Sequence, residues 1–363
     1  MKKKGVIILC AVLAFLLIAG CVTWSFLPHP LNYPINKIEA VGSTLEVLGQ
    51  TEDSVTVTKR GEGEFRILMF TDMHLDGKNK TSYTTVSHLV ENIRREKPDL
   101  VLLGGDNVTS ALNGVRAKQL GQIFEKLGVY WAGVLGNHEG DNAGSVSRQK
   151  MMEIFTSFDH CLMKQGPADI DGNCNYALHI LDADGKMLQT FFFLDTFDMV
   201  ADADKPALGF AESDKVTDGA HENQIAWYTR KAAAVKAEYG EYSSILVQHI
   251  PLLQMKTAAE TEEFLYGVTL EGVCSTSWDN GLFDAIKTAG VTHTVFCGHD
   301  HMNNFAVEYE GVVLSYIEPS GYGSYNTGTK LGYEEKDWLQ GYTRLTLHAD
   351  GSFSTEQVRN SAL

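Results

Sequence analysis

Five short apolar runs in this chain each end in the same kind of polar cluster. "FRILMF" gives way to "TDMH" (Asp72, His74), "LVLL" to "GGDN" (Asp106) and "WAGVL" to "GNHE" (Asn137, His138); further on, "SSILV" leads into "QHIP" (His249) and "THTVFC" into "GHDH" (His299, His301). Brief stretches of aliphatic, β-branched and aromatic residues that stop at Gly, Asp or Asn read as strands buried on both faces. After the first three come "TTVSHLVENIRREKP", "VRAKQLGQIFEKLG" and "SRQKMMEIFTSF", with apolar residues at helical spacing. Strand, loop and helix in repetition confine the chain to a largely parallel sheet with helices packed on it.

The middle and end of the chain change character. "NYALHILDADGKMLQTFFFLDTF" predicts a hairpin turning at Asp184-Gly185. A calcium loop does not fit there, because the string of oxygen ligands stops at Gly185. Helices are expected in "ENQIAWYTRKAAAVKAEYG" and "GLFDAIKTAG", and strands in "NFAVEYEG", "VVLSYIEP" and a last hairpin around Asp350-Gly351. The first strand is placed at Ser54 to Lys59, and 201–220 and 254–280 read as irregular loops. Alternating units with antiparallel pieces between and after them predict an α/β fold of two sheets packed together and covered by helices.

The chain has 363 residues, 44% of them hydrophobic, which is ample for a packed core. Its net charge of -16 argues against a polynucleotide partner, since nucleic-acid affinity draws on Lys and Arg neutralising phosphates. A small anionic substrate stays compatible with that charge, because bound metal ions reverse the local field.

Lys2, Lys3 and Lys4 precede an uncharged stretch from Gly5 to Leu27. This directs the chain to a membrane, with the lysines cytoplasmic and the remainder outside. "IAGC" ending at Cys21 resembles a bacterial lipobox, whereas apolar residues continuing to Leu27 suit an uncleaved helix. Both readings stay open: 1–27 is a membrane anchor or a lipoprotein signal segment, and free secretion fits less well. Residues 28–53, rich in proline at first, read as a tether, and 54–363 as the catalytic domain. Cys161, Cys174, Cys274 and Cys297 are too few to staple such a fold. They fit either one Cys161–Cys174 disulfide or four buried thiols.

Each polar cluster taken singly is an ordinary turn or a satisfied histidine. Together they place Asp, Asn and His beyond the carboxyl ends of five strands, where ligands of open α/β sheets gather. Oxygen and imidazole donors suit two divalent or trivalent first-row ions better than a soft thiolate site would.

In order and spacing the five clusters resemble the calcineurin-like metallophosphoesterase superfamily, from about Glu64 to the last strands. "HIPL", "GHDHMNNF" and "SGYGSYN" resemble its purple-acid-phosphatase-related branch. The resemblance implies a four-layer sandwich, two mixed sheets flanked by helices. It also implies that Asp72, His74, Asp106 and His301 hold one metal, and that Asp106, Asn137, His249 and His299 hold the other. Asp106 would bridge, and Asp300 would link or support. A hydroxide held between two ions about 3.5 to 4 Å apart would attack a phosphate ester, while His138 would protonate the leaving oxygen or stabilise phosphoryl charge. Purple acid phosphatases carry a tyrosine ligand three residues after the bridging aspartate and lack the histidine found here at position 74. Here Thr109 takes the tyrosine's place, so no tyrosinate-bound ferric ion is expected and Fe, Mn and Zn all fit. Asp195 reads as a supporting group or a plain strand end. Tyr322 and Tyr325 read as rim residues or parts of an ordinary turn.

The implied activity is that of an extracytoplasmic phosphoesterase acting on a small phosphate ester. The alternatives are a non-catalytic relative that serves as a metal-binding module, and a nuclease or nucleotidase of the same superfamily. Removal of residues 1–27 is expected to leave a soluble, folded domain, because anchoring accounts for the apolar run and the later strands for the core. Expression of the truncated chain checks this, and recovery only as aggregate refutes it.

Overall fold

The computed structural model describes residues 31–61, 63–76, 79–140, 143–323 and 339–360. The N-terminal segment 1–27 and Tyr325 lie outside the described residues. In the first half, the polypeptide forms β1 (Leu45–Gln50), β2 (Ser54–Lys59), β3 (Phe65–Phe70), α1 (Asn79–Glu96), β4 (Leu100–Leu103), α2 (Asn113–Leu127), β5 (Trp131–Gly133) and α3 (Arg148–Phe155). The hairpin strands β6 (Tyr176–Leu181) and β7 (Met187–Phe193) follow, with Gly185 at φ +82° in their turn. Next come α4 (Glu222–Tyr239), β8 (Ser244–Val247), α5 (Leu253–Thr261), β9 (Phe264–Tyr266), α6 (Leu282–Ala289) and β10 (Thr292–Cys297). The chain closes with β11 (Ala306–Tyr309), β12 (Val312–Tyr316), β13 (Gly341–Leu347) and β14 (Phe353–Arg359).

The strands form two mixed sheets. Five are ordered β14-β13-β3-β4-β5, and nine are ordered β1-β2-β6-β7-β8-β10-β12-β11-β9. The parallel neighbours β3, β4 and β5 carry helices in their crossovers, as do β7, β8 and β10. "FFF" shows how alternation builds the layers. Phe191 and Phe193 face the core shared with the five-stranded sheet, whereas Phe192 faces the second core under α4, α5 and α6. Trp227 and Tyr228 of α4, Met255 of α5 and Phe283 of α6 complete that outer core. On the opposite side, Val86 and Ile93 of α1, Leu120 and Phe124 of α2 and Phe155 of α3 cover the five-stranded sheet. The result is the four-layer sandwich expected from the sequence.

Two expectations need correction. Residues 28–53 are not all tether, because Leu45–Gln50 pairs antiparallel with β2 and Leu31 is buried. At the sheet edge only Leu45 of this strand is buried, so its sequence shows no alternation to read. Residues 254–280 are not all loop either, since most of α5 and all of β9 lie there. Among the residues of α5 only Met255 and Ala258 are buried, too few to mark a helical period. The thiols of Cys161, Cys174, Cys274 and Cys297 are free; Cys174 and Cys297 are buried, Cys161 is half-buried and Cys274 is exposed.

Tyr176 fastens one sheet to the other. Its ring stacks on Phe193 with centroids 4.5 Å apart, and its hydroxyl accepts from Gly133 N and donates to Gly133 O, both at 2.9 Å. Gly133 is the last residue of β5, just before the loop that carries Asn137. Tyr176→Phe leaves a buried N–H without its acceptor and is expected to destabilise the fold by about 1–3 kcal/mol. Equilibrium chemical denaturation checks the figure, and an unchanged midpoint would remove this contact from the account.

Candidate metal centre

Register brings the clusters to one edge. Phe70 pairs with Leu103 and Leu103 with Gly133, so the chain leaves β3, β4 and β5 at the same level. In the other sheet Val247 pairs with Phe296, which puts the exits of β8 and β10 side by side. Backbone bonds continue past the strand ends: Asp72 N donates to Gly105 O (3.0 Å), His74 N to Asp106 O (2.9 Å) and Gly298 N to His249 O (3.0 Å). Asp72, His74, Asp106 and His299 all adopt positive φ, at 55°, 43°, 50° and 79°. Non-glycine residues held there store about 1–3 kcal/mol each, a cost that recurs at functional sites.

Two groups of ligand-type atoms result, each within 4.8 Å of one another. Asp72, His74, Asp106 and His301 form one; Asp106, His249 and His299 form the other. Asp106 belongs to both. His74 Nε2 lies 3.0 Å from His301 Nε2 and 3.3 Å from Asp106 Oδ2, and His301 Nε2 is 3.4 Å from Asp72 Oδ1. His249 Nε2 approaches Asp106 Oδ2 to 3.2 Å. Its Nδ1–H donates to Gly104 O at 2.8 Å, which fixes the tautomer and turns the Nε2 lone pair into the site.

Three buried atoms of this cluster have no hydrogen-bond partner: Asp106 Oδ2, His249 Nε2 and Asn137 Oδ1. With His249 neutral all three can act as acceptors or metal donors, and Asp106 Oδ2 and His249 Nε2, 3.2 Å apart, then have only each other's lone pairs to face. Cations would satisfy all three, so the residues present fit a metal pair. The acidity pattern agrees. Burial works against the Asp72 carboxylate, yet His301 and His249 hold its pKa down to about 2. Burial keeps His74 and His299 neutral, with pKa values lowered to about 4. Against its burial, Asp106 and then Asp72 raise His249 to about 10, so without an ion a second proton sits on Nε2 facing Asp106 Oδ2, and an ion bound there would displace it.

Glu139, which sequence reasoning missed, organises these loops. Its carboxylate accepts from Asn107 N (2.6 Å), Gly136 N (2.8 Å), Asp106 N (3.1 Å) and Asn107 Nδ2 (3.1 Å). Burial and the nearby Asp106 push its pKa up to about 7, while His249, Arg148 and the Asn107 backbone N–H pull the other way. The signal was present as the fourth letter of "GNHE", but nothing local says that its partners sit on the preceding strand's loop. Close approach needs glycine at two positions. A Cβ on Gly105, which has φ +98°, would meet His249 Nδ1 at 2.5 Å, and one on Gly136 would meet Asp106 Oδ1 at 2.2 Å.

The remaining candidates sort by position. His138 is half-buried, its ring centroid 5.3 Å from that of His74, and its backbone N–H donates to Asp106 Oδ1 at 2.8 Å. Asp300 turns away from the cluster and accepts from Tyr316 Oη and Cys274 N. Asp195 is buried against Arg148, whose guanidinium also donates to Gly136 O, so it supports the loop of Asn137. Tyr322 stacks on His88 with centroids 5.2 Å apart rather than standing free at the rim.

A model of the calcineurin-like phosphoesterase family matches residues 65–303. Among curated proteins, the chain is 29% identical over 310 residues to "Probable inactive purple acid phosphatase 29" of Arabidopsis thaliana, covering 76% of this chain and 75% of that protein. It is 28% identical over 295 residues to "Probable inactive purple acid phosphatase 14" of the same plant, covering 73% and 72%. Among solved structures, a dimetal phosphatase from Danio rerio aligns over 80% of this chain and 98% of its own, at 15% identity and a TM-score of 0.47. With the family model spanning well over half its length, the chain belongs to the calcineurin-like phosphoesterase family, among relatives of the purple acid phosphatases.

Proposed function

We propose that this protein is an active, metal-dependent phosphoesterase on the extracytoplasmic side of a membrane. The observation that carries the reading is the set of three buried, unpartnered donor atoms around Asp106. Asp72, His74, Asp106 and His301 would hold one ion, and Asp106, Asn137, His249 and His299 the other. When bound, such a pair supplies a water-derived nucleophile and stabilises charge on a transferring phosphoryl group. The chain's own residues orient and protonate. Glu139 and Arg148 hold the Asp106 and Asn137 loops in place. His138, beside the cluster and partly open to solvent, would give a proton to the leaving oxygen. Export rests on the lysine-led apolar segment, and a nucleotide or other small ester suits the charge of -16 better than a polynucleotide does.

The relatives' names favour a second reading, a metal-binding protein without turnover. Two variants separate the readings. Asp106→Ala is expected to lose both ions by elemental analysis, whereas His138→Ala should keep them. His138→Ala should also lose about 10² to 10⁴ in rate on an alkyl phosphate, whose alkoxide leaves poorly, and less on a nitrophenyl ester. Equal losses on both esters would move His138 to charge stabilisation. A metal-loaded wild type that turns over neither ester would establish the binding reading.

A further inference from the structure

Beside the metal centre lies a cavity of about 550 Å³ that shares Asn137 with it. Its other side chains come from three places: Ser147, Arg148 and Gln149 at the start of α3, Asn173 ahead of β6, and Asp198 beyond β7. Every one of them ends in a hydrogen-bonding group, and no aliphatic or aromatic side chain lines the cavity.

Asp195, fully buried, fixes all three parts of this wall. Its Oδ1 accepts from Arg148 Nη2 and from Phe197 N (3.2 Å), and its Oδ2 accepts from Asn173 N (2.9 Å). Arg148 Nη1 in turn donates to Gly136 O, next to Asn137, which ties the cavity to the loop of that candidate ligand. Phe197 takes φ 57°, a strained conformation for a bulky residue, where the chain turns to bring Asp198 to the cavity. Two lining groups are engaged on one side only. Gln165 Nε2 donates to Asn173 Oδ1 at 2.8 Å, which leaves the Asn173 NH2 as its donor, and Lys150 N donates to Ser147 Oγ at 3.2 Å, which leaves that hydroxyl a proton to give. Arg148 is the one cation among the lining residues, and Asp195 neutralises it.

We propose that this cavity holds the alcohol portion of the substrate and that this alcohol is polyhydroxylated, which makes singly phosphorylated polyols, sugars included, the substrate class of the metal centre. The proposal rests on the phosphoesterase reading above. A phosphate held at the ions would have its ester group beside the cavity, because Asn137 belongs to both. Amide, hydroxyl and carboxylate groups fixed in advance pair with neighbouring hydroxyls, each of which both gives and accepts. A hydrocarbon chain would strip water from these groups and return no hydrogen bond. A second phosphate would meet the Asp198 carboxylate and a guanidinium that is already paired.

The test uses the full-length, metal-loaded protein in detergent, with hexyl phosphate, a hexitol monophosphate and the hexitol bisphosphate as probes. Both monophosphates are also assayed as their methyl diesters, and nitrophenyl phosphate reports on the centre itself. A hydrogen bond to a hydroxyl is worth about twofold to tenfold, so kcat/KM for the hexitol ester should exceed that for the hexyl ester by about 10-fold to 100-fold. The bisphosphate should be slower than the monophosphate. Asn173→Ala and Gln149→Ala should each narrow the hexitol-to-hexyl ratio by about twofold to tenfold. Gln149 is exposed, so its replacement leaves the fold intact. Hexitol leaves more readily than hexanol whatever the protein, and the narrowing in the variants therefore carries the result. A wild-type ratio near one overturns the proposal, as does a ratio that neither variant changes. A bisphosphate that is the better substrate also overturns it and assigns the cavity to a second phosphate. If no ester is hydrolysed, nitrophenyl phosphate included, the phosphoesterase reading itself falls, and this proposal falls with it.

Discussion

A single buried carboxylate sets the shape of the candidate metal centre. Glu139 gathers the N–H groups of Asp106, Asn107 and Gly136, which belong to loops leaving two adjacent strands. Turned inward, those N–H groups bend the β4 exit so that Asp106 can lie between the two groups of histidines. The same bend puts Asp106 at φ 50°, a conformation that pays for itself only where several contacts over-determine it. Asn113, Arg148 and Asp195 then brace the loop of Glu139 from the other side.

The electrostatics follow from this crowding. Two carboxylates, Asp72 and Asp106, are fully buried among histidines that burial would otherwise keep neutral. The cluster is short of positive charge, and His249 shows the tension by holding its proton up to about 10 against its own desolvation. In the ion-free cluster that proton compensates Asp106 Oδ2 at 3.2 Å, whereas Asn137 Oδ1 stays without a partner. Metal binding here would therefore be coupled to protonation and to the stability of this corner of the fold, since an ion would displace the His249 proton and satisfy the remaining donor.

Much of the architecture was legible before any coordinates. The parallel strands β3, β4, β8 and β10 are largely apolar and buried at nearly every position because both faces are covered. The hairpins at Gly185 and Gly351 announced themselves by Asp-Gly turns, where glycine takes a positive φ. The elements that went unread, β1, α5 and β9, bury too few side chains to impose a period. Their positions are decided by what they lie against, an exposed sheet edge for β1 and the neighbouring strand β11 for α5.

At the candidate site, the sequence by itself determined the kind of donor available and its place in each unit, because a carboxylate, amide or imidazole just past a buried strand has to emerge at the strand's end. Tertiary structure alone decided which of these donors meet. Asp72 and His301 are more than two hundred residues apart, and their contact depends on two sheets packing in one relative register, which no local pattern encodes. It also decided that Asp300, between two histidines of the cluster, turns away to Tyr316 and Cys274. Glu139 is the clearest case. As a letter it is one acidic residue among many, and it becomes the organiser of the site only when folding surrounds it with backbone donors and excludes the water that would otherwise compete for them.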